Sequence, residues 1–246
     1  MWHKPHLINA LADLLVLVAA AVLLAAGTVW LVRVPSLPIR QVEFMAALPH
    51  VQRGELEQVL PSAMRGNFFS IDLDAVRLAL EQLPWVRKVE VKRVWPARLQ
   101  VYVEEHQAVA RWGEGRAELV NSHGEVFAAL LPEDEASRLP LLSGPNGTAR
   151  EVMTRYAEFV ELLRPIRRRP EQLVLSSRLA WQLVLDNGLR LEIGGDNPRL
   201  PVNQRLARFV EVYPEKVAVL ATKPLVVDLR YPNGLAIKLA GERKGK

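Results

Sequence analysis

The side chains able to do acid, base or metal chemistry are few and scattered. The five histidines, His3, His6, His50, His106 and His123, include no i, i+4 pair with a glutamate between, the spacing a helical zinc site needs. His123 falls in a turn and His106 at a strand end, and both read as surface residues. Asp72 and Asp74 resemble paired carboxylates, but acids at a helix start are explained by capping and the macrodipole. Glu133-Asp134-Glu135 reads as a solvated loop. None of the 14 glycines sits in a G-x-x-x-x-G-K run, Gly194-Gly195-Asp196 lacks the dinucleotide pattern, and no G-x-S-x-G elbow occurs. The chain has no cysteine, which excludes disulfides, thiolate zinc sites and cysteine nucleophiles. No nucleophile stands beside a base at a recognisable spacing, and no cofactor is implied.

Recognition is the chemistry that the residues suit better. "RYPNGLAIKLA", from Arg230, reads as the end of a sheet, where unpaired N–H and C=O groups can receive a further strand. Gly234 and Ala236 are small enough to let another backbone approach, Tyr231 is a rigid contact residue, and Arg230 can hold a carboxylate with two bonds. The plainer alternative is that Asn233-Gly234 is merely a turn and Tyr231 merely edge packing. Residue pattern alone leaves both open.

Charge does not single out a nucleic acid partner. The formal charge is +5 and the pI about 9.7, but the dense basic clusters are only Arg167-Arg168-Arg169 and the Arg243-Lys244-Gly245-Lys246 tail, without interleaved aromatic stacking residues. These clusters read as solvated surface. Half of the 246 residues are apolar and 24% charged, a globular mixture large enough for one to three modest domains.

The elements that must carry such an edge begin with an anchor. Residues 14–32, LLVLVAAAVLLAAGTVWLV, form an uncharged run that, as a helix, approaches the ~30 Å hydrocarbon core of a bilayer. A cleaved signal peptide is the rival reading, but the run is longer than a usual h-region and continues through Trp30-Leu31-Val32, which favours an uncleaved anchor. Lys4 on one side and Arg33 and Arg40 on the other leave orientation undecided by charge. A short tail, 1–13, precedes the span and a linker, 33–38, follows it.

Beyond the linker, "IRQVEFMA" predicts a strand, and "VQRGELEQVL" a short helix with Leu56, Val59 and Leu60 on one side. A second helix starts at the N-cap candidate Asp72 and carries Leu73, Val76, Leu80 and Leu83 until Pro84 stops it. "PWVRKVEVKRVWPARLQVYVEEH" then predicts a half-buried hairpin, with Val89, Val91, Leu99, Val101 and Val103 inward and Lys92, Gln100 and Glu104 outward. An antiparallel sheet covered by two helices on one side satisfies this pattern.

The remainder predicts a β-rich region with two helices and a mostly antiparallel sheet. A hairpin surrounds His123-Gly124. Thr148-Ala-Arg-Glu151 predicts a capping box that opens a helix with the stripe Val152, Tyr156, Phe159 and Leu163. "QLVLSSRLAWQLVLDNGLRLEIG" gives three strands, with Asn187-Gly188 as a type I′ turn. A last helix carries Val202, Leu206, Phe209, Val210 and Tyr213, and a final hairpin turns at Asn233-Gly234.

Strand, helix, helix, strand, strand over residues 39–107 resembles a POTRA domain. "LPWVRKVEVKRVWPARLQVYVEEHQAVARWG" behind a single anchor, followed in order by "VNSHGEVF", "LPLLSGP", "WQLVLDNGLRLEIG", "QRLARFVEVYP" and "VDLRYPNGLAIK", resembles the FtsQ/DivIB family of bacterial cell-division proteins. The resemblance implies an α+β chain: the anchor, the POTRA domain, a β domain over 108–240 and a basic tail over 241–246. It implies a non-enzymatic scaffold of the bacterial inner membrane at the division septum, with the N-terminus cytoplasmic and the other domains periplasmic. Its partners would be FtsB-like and FtsL-like proteins, added as strands at the last edge, with other division proteins meeting the POTRA domain. Carried onto this chain, the binding residues are Arg230, Tyr231, Asn233 and Gly234, with Leu235, Ala236 and Ile237 as main-chain edge and Arg178, before Trp181, as a second contact for an acidic residue. A membrane-anchored periplasmic hydrolase or assembly factor is the alternative.

Overall fold

The computed structural model describes residues 5–33, 38–45, 48–113, 115, 117–220, 224–232 and 234–239. Two compact units, Met1–Glu105 and His106–Lys246, have separate apolar cores. The first unit begins with helix α1, Pro5–Arg33. Its segment Asn9–Trp30, 22 residues, is long and apolar enough to cross a membrane.

The same unit continues with β1 (Gln41–Phe44), α2 (Arg53–Ala63), α3 (Leu73–Leu80), β2 (Val86–Val94) and β3 (Arg98–Glu105). The sheet order is β1-β3-β2, with β1 parallel to β3 and β2 antiparallel to it. The expected all-antiparallel arrangement is therefore corrected at β1: the two helices form a long crossover, and such a connection brings its flanking strands together in parallel. Asp72 caps α3 as predicted, its carboxylate accepting the N–H of Asp74 at 2.9 Å and of Ala75 at 3.1 Å. The helix stops at Leu80, four residues before Pro84, so Leu83 packs from a turn. Leu56 and Leu60 of α2, Val76 and Leu80 of α3 and Val89, Leu99, Val101 and Val103 of the hairpin close the core.

The second unit contains β4 (Ala108–Trp112), β5 (Glu118–Asn121), β6 (Val126–Ala128), α4 (Glu133–Ala136), β7 (Leu141–Ser143), α5 (Ala149–Leu163), β8 (Pro170–Leu175), β9 (Ala180–Leu185), β10 (Arg190–Gly195), α6 (Val202–Val212), β11 (Pro224–Asp228) and β12 (Ala236–Leu239). They build one nine-stranded sheet in the order β12-β11-β10-β9-β8-β7-β4-β5-β6. Pairs β4–β7, β7–β8 and β10–β11 are parallel and the other five antiparallel, as a mixed sheet with helical crossovers requires. Helix α5 packs on β7 and β8, α6 packs on β10, and the helices pack on each other. Val152, Phe159 and Leu163 of α5 and Val202, Leu206 and Phe209 of α6 bury the predicted stripes over Trp181, Leu183, Leu191 and Ile193.

Local chemistry differs from expectation at three places. Thr148 does not make a capping box: its hydroxyl donates to Pro145 O at 2.7 Å, because its backbone (φ −93°, ψ 3°) lies outside the extended region a capping side chain needs. Asn187-Gly188 is not a type I′ turn, since Asn187 keeps a negative φ. Gly188 N–H donates to Leu185 O at 2.8 Å and Gly188 alone is left-handed (φ +80°), the three-residue turn with a terminal bulge. Glu133-Asp134-Glu135 forms the short helix α4, with all three residues exposed.

Candidate partner-binding edge

Strand β12 owes its position to β11. Val227 and Leu229, both buried, fix β11 and its exit to the core, while β10 pairs β11 in parallel through Arg190↔Val226, Leu191↔Val227 and Glu192↔Asp228. β12 then returns antiparallel through Val227↔Ile237 and Asp228↔Ala236. Leu235 and Ile237 pack partly against the core, whereas Ala236 and Lys238 are exposed. β12 ends the sheet order, so its outer row of backbone groups has no strand partner among the described residues. That is the row a further strand would need.

The connection from β11 to β12 holds the expected side chains, although Asn233 lies outside the described residues. Tyr231 is 54% exposed. Arg230 already grips a carboxylate, that of Asp228: its Nε lies 2.9 Å from Oδ1 and its Nη2 2.6 Å from Oδ2. The Arg230 hydrogen bonds and charge hold the Asp228 carboxyl below its ordinary pKa of 3.8, and Asp228 in turn raises the Arg230 pKa. The side chain of Arg230 remains largely exposed, so its outer face is open to a second acid.

Two groups that sequence reasoning passed over build this loop. Arg208, on α6, donates to Tyr231 O at 2.8 Å, to Gly234 O at 3.3 Å and to Pro232 O, collecting three carbonyls that the turn leaves without partners. Gly194, dismissed with the dinucleotide pattern, has φ +84° at a bulge in β10, and a Cβ there would stand 3.0 Å from Arg230 Cγ. The stem of Arg230 thus lies where only glycine leaves room. Signals existed for both residues: glycine at a strand end and arginine on the polar side of a helix.

Arg178 occupies the β8–β9 hairpin tip, exposed and without a side-chain hydrogen bond among the described residues. Leu179 beside it is left-handed (φ +56°), and its carbonyl oxygen is 3.1 Å from the place of a Cβ on Gly195. Gly195 and Gly194 end β10, and Gly194 touches Arg230. One end of the sheet therefore carries Arg178, Arg230 and Tyr231, as the parallel β10–β11 pairing requires.

Beneath that end lies Arg205, only 4% exposed, whose guanidinium donates to Gly195 O at 2.7 Å, Leu200 O at 2.8 Å and Ile193 O. Burial lowers its pKa, opposed by Asp196. Its role is to satisfy carbonyls at the end of β10. Two of the histidines are packed: His50 stacks on Trp85 at 4.1 Å and lies 3.3 Å from Glu105, and His106, read as a surface residue, stacks on Phe127 at 4.1 Å, whereas His123 is exposed. Among the described residues no three His, Asp or Glu side chains gather to hold a metal.

An open sheet edge follows a helix long and apolar enough to cross a membrane, and comparison with known proteins gives the family. Residues 37–106 match the model described as "POTRA domain, FtsQ-type", and 110–230 match "Cell division protein FtsQ/DivIB, C-terminal". A protein of Burkholderia pseudomallei named cell division protein FtsQ is 37% identical over 99% of this chain and 96% of its own length. Those of Bordetella pertussis and Nitrosospira multiformis, with the same name, are 35% and 36% identical, covering 98% and 97% of this chain and 93% and 99% of their own lengths. The chain belongs to the FtsQ/DivIB family of cell-division proteins.

Proposed function

We propose that this chain is a scaffold of the division septum that captures extended segments of FtsB-like and FtsL-like proteins along the outer edge of β12. The observation that carries the reading is the unpartnered backbone row of β12, flanked by exposed Tyr231 and by Arg230. Backbone pairing gives such an edge affinity for any extended segment, and the flanking side chains select among them. An acidic residue on the partner meets Arg230 or Arg178, and an apolar one packs against Tyr231. Helix α1 confines the chain to the inner membrane with its N-terminus in the cytoplasm and both folded units in the periplasm. Confinement raises the effective concentration of partners anchored in the same bilayer, so modest edge affinity suffices.

Successive N–H groups of a strand point to opposite sides, so of Ala236→Pro and Ile237→Pro one removes an outward donor and the other a donor to β11. The test is a binding isotherm of the full chain in nanodiscs against the periplasmic segment of an FtsB-like protein. The outward-facing proline is expected to abolish binding with the circular dichroism spectrum unchanged, and Tyr231→Ala to weaken it by about tenfold or more, as for an interface anchor worth ~2 kcal/mol. Saturable binding that survives both prolines with the fold intact would place the partner elsewhere.

A further inference from the structure

The first unit exposes a second, unexplained apolar feature at the β2–β3 turn. Trp95 is 66% and Phe69 41% exposed, and both rest on buried Phe68, with ring centroids 6.0 Å and 5.3 Å from it. The loop beneath them is held firmly. Asn67 Oδ1 accepts the N–H groups of Phe69 and Ser70, each at 2.9 Å, and Arg93 donates to Phe68 O at 3.0 Å and Ile71 O at 2.6 Å. Gly66 (φ +105°) brings the loop against Ser70, where a Cβ would stand 2.6 Å from its hydroxyl. Two large aromatic rings held outward on a fixed loop mark a contact surface rather than a fraying end.

Chain connectivity identifies what lies opposite. Arg40 N–H donates to Ala97 O at 2.9 Å, and Gln41 pairs with Arg98, so the chain enters the unit at the same end that displays Trp95. Only seven residue steps separate Arg40 from Arg33, the last residue of α1, which is at most ~25 Å even fully extended. Trp30 stands at the end of the membrane-crossing segment, where tryptophan favours the water–lipid boundary. Charge agrees with an anionic surface. Arg93 binds only neutral carbonyls, and Arg40 and Arg65 make no ion pair among the described residues, while Glu43 is paired to Arg98 at 3.1 Å.

We propose that the Trp95–Phe69 tip sits in the headgroup layer of the bilayer that α1 crosses, making a second, interfacial foothold that orients the POTRA domain on the membrane. Its partner is phospholipid: the rings enter the interface and Arg40, Arg65 and Arg93 face anionic headgroups.

The chain has no cysteine, so Ala97→Cys beside the tip gives a unique labelling site that keeps both rings. The full chain carrying an NBD fluorophore there is reconstituted into nanodiscs of phosphatidylethanolamine and phosphatidylglycerol, alone and with headgroup-proximal doxyl lipid. The expected result is blue-shifted emission quenched by the doxyl lipid, both lost when Trp95→Ser and Phe69→Ser are added. Water-like, unquenched emission with the tip intact would overturn the proposal and leave the rings to a protein partner. Quenching that persists in the double serine variant would also overturn it, because the rings would then not be the foothold.

Discussion

At the scale of single residues, Asp228 already holds the guanidinium that the proposed site would offer to an acid on a partner. The Asp228 carboxyl has its pKa lowered in the fold, so its contribution to stability is present above the unfolded value of 3.8 and is lost as pH falls through the lower native value. The difference in unfolding free energy between wild type and Asp228→Asn is therefore expected to be constant above about pH 5 and to shrink below it; a difference independent of pH down to strong acid would show that the pair contributes nothing. The same substitution frees Arg230. If a partner acid uses that guanidinium, Asp228→Asn tightens binding while Arg230→Gln weakens it, and isotherms of the two variants separate recognition from a purely internal ion pair. Gly194→Ala acts on the same residue from below. The added Cβ enters at φ +84° and presses on Arg230, so a loss of about 1–3 kcal/mol in urea unfolding of the second unit is expected.

At the scale of elements, repeated hairpin chemistry explains what the sequence showed and what it hid. The turns at Asn121–Glu125, Ser176–Ala180 and Leu185–Leu189 share one geometry, in which the fourth residue donates its N–H to the first carbonyl and adopts positive φ. Asn-Gly and His-Gly advertised two of them as turns, but not their length, because the bulge is set by strand register and not by the dipeptide. The third was unreadable: Leu179 occupies the left-handed position at φ +56°, where a side chain with a Cβ is strained. Because Leu179 is 58% exposed, Leu179→Gly sacrifices little burial and is expected to stabilise the second unit by roughly 1 kcal/mol, read as a higher urea midpoint. Helices were legible for the opposite reason. Their stripes report burial directly, so Val152, Phe159 and Leu163 were found although the capping box beside them was not formed. The last strand was legible as the end of a sheet and as one arm of a hairpin, but the parallel pairing of its neighbour β11 with β10 was not, since nothing local in "PLVVD" says which strand lies beside it.

At the scale of the molecule, sequence and structure agree on architecture because each unit closes its own apolar cluster, and each cluster is assembled from segments whose periodicity is plain. Leu99 lies fully buried in the first cluster and Leu183 in the second, and the two clusters share no residue. Truncating either creates a cavity that its own unit alone must accommodate, at a cost of about 2–5 kcal/mol. Leu99→Ala is thus expected to lower only the transition of the first unit in thermal unfolding of the full chain, and Leu183→Ala only that of the second. The distinction bears on function. A scaffold whose edge strand belongs to the second unit should keep partner binding in Leu99→Ala at temperatures where the first unit has melted, and should lose it in Leu183→Ala when the second has. A single shared transition shifted equally by both substitutions would mean that the units fold as one cooperative body, and the edge could not then be treated as the property of one of them.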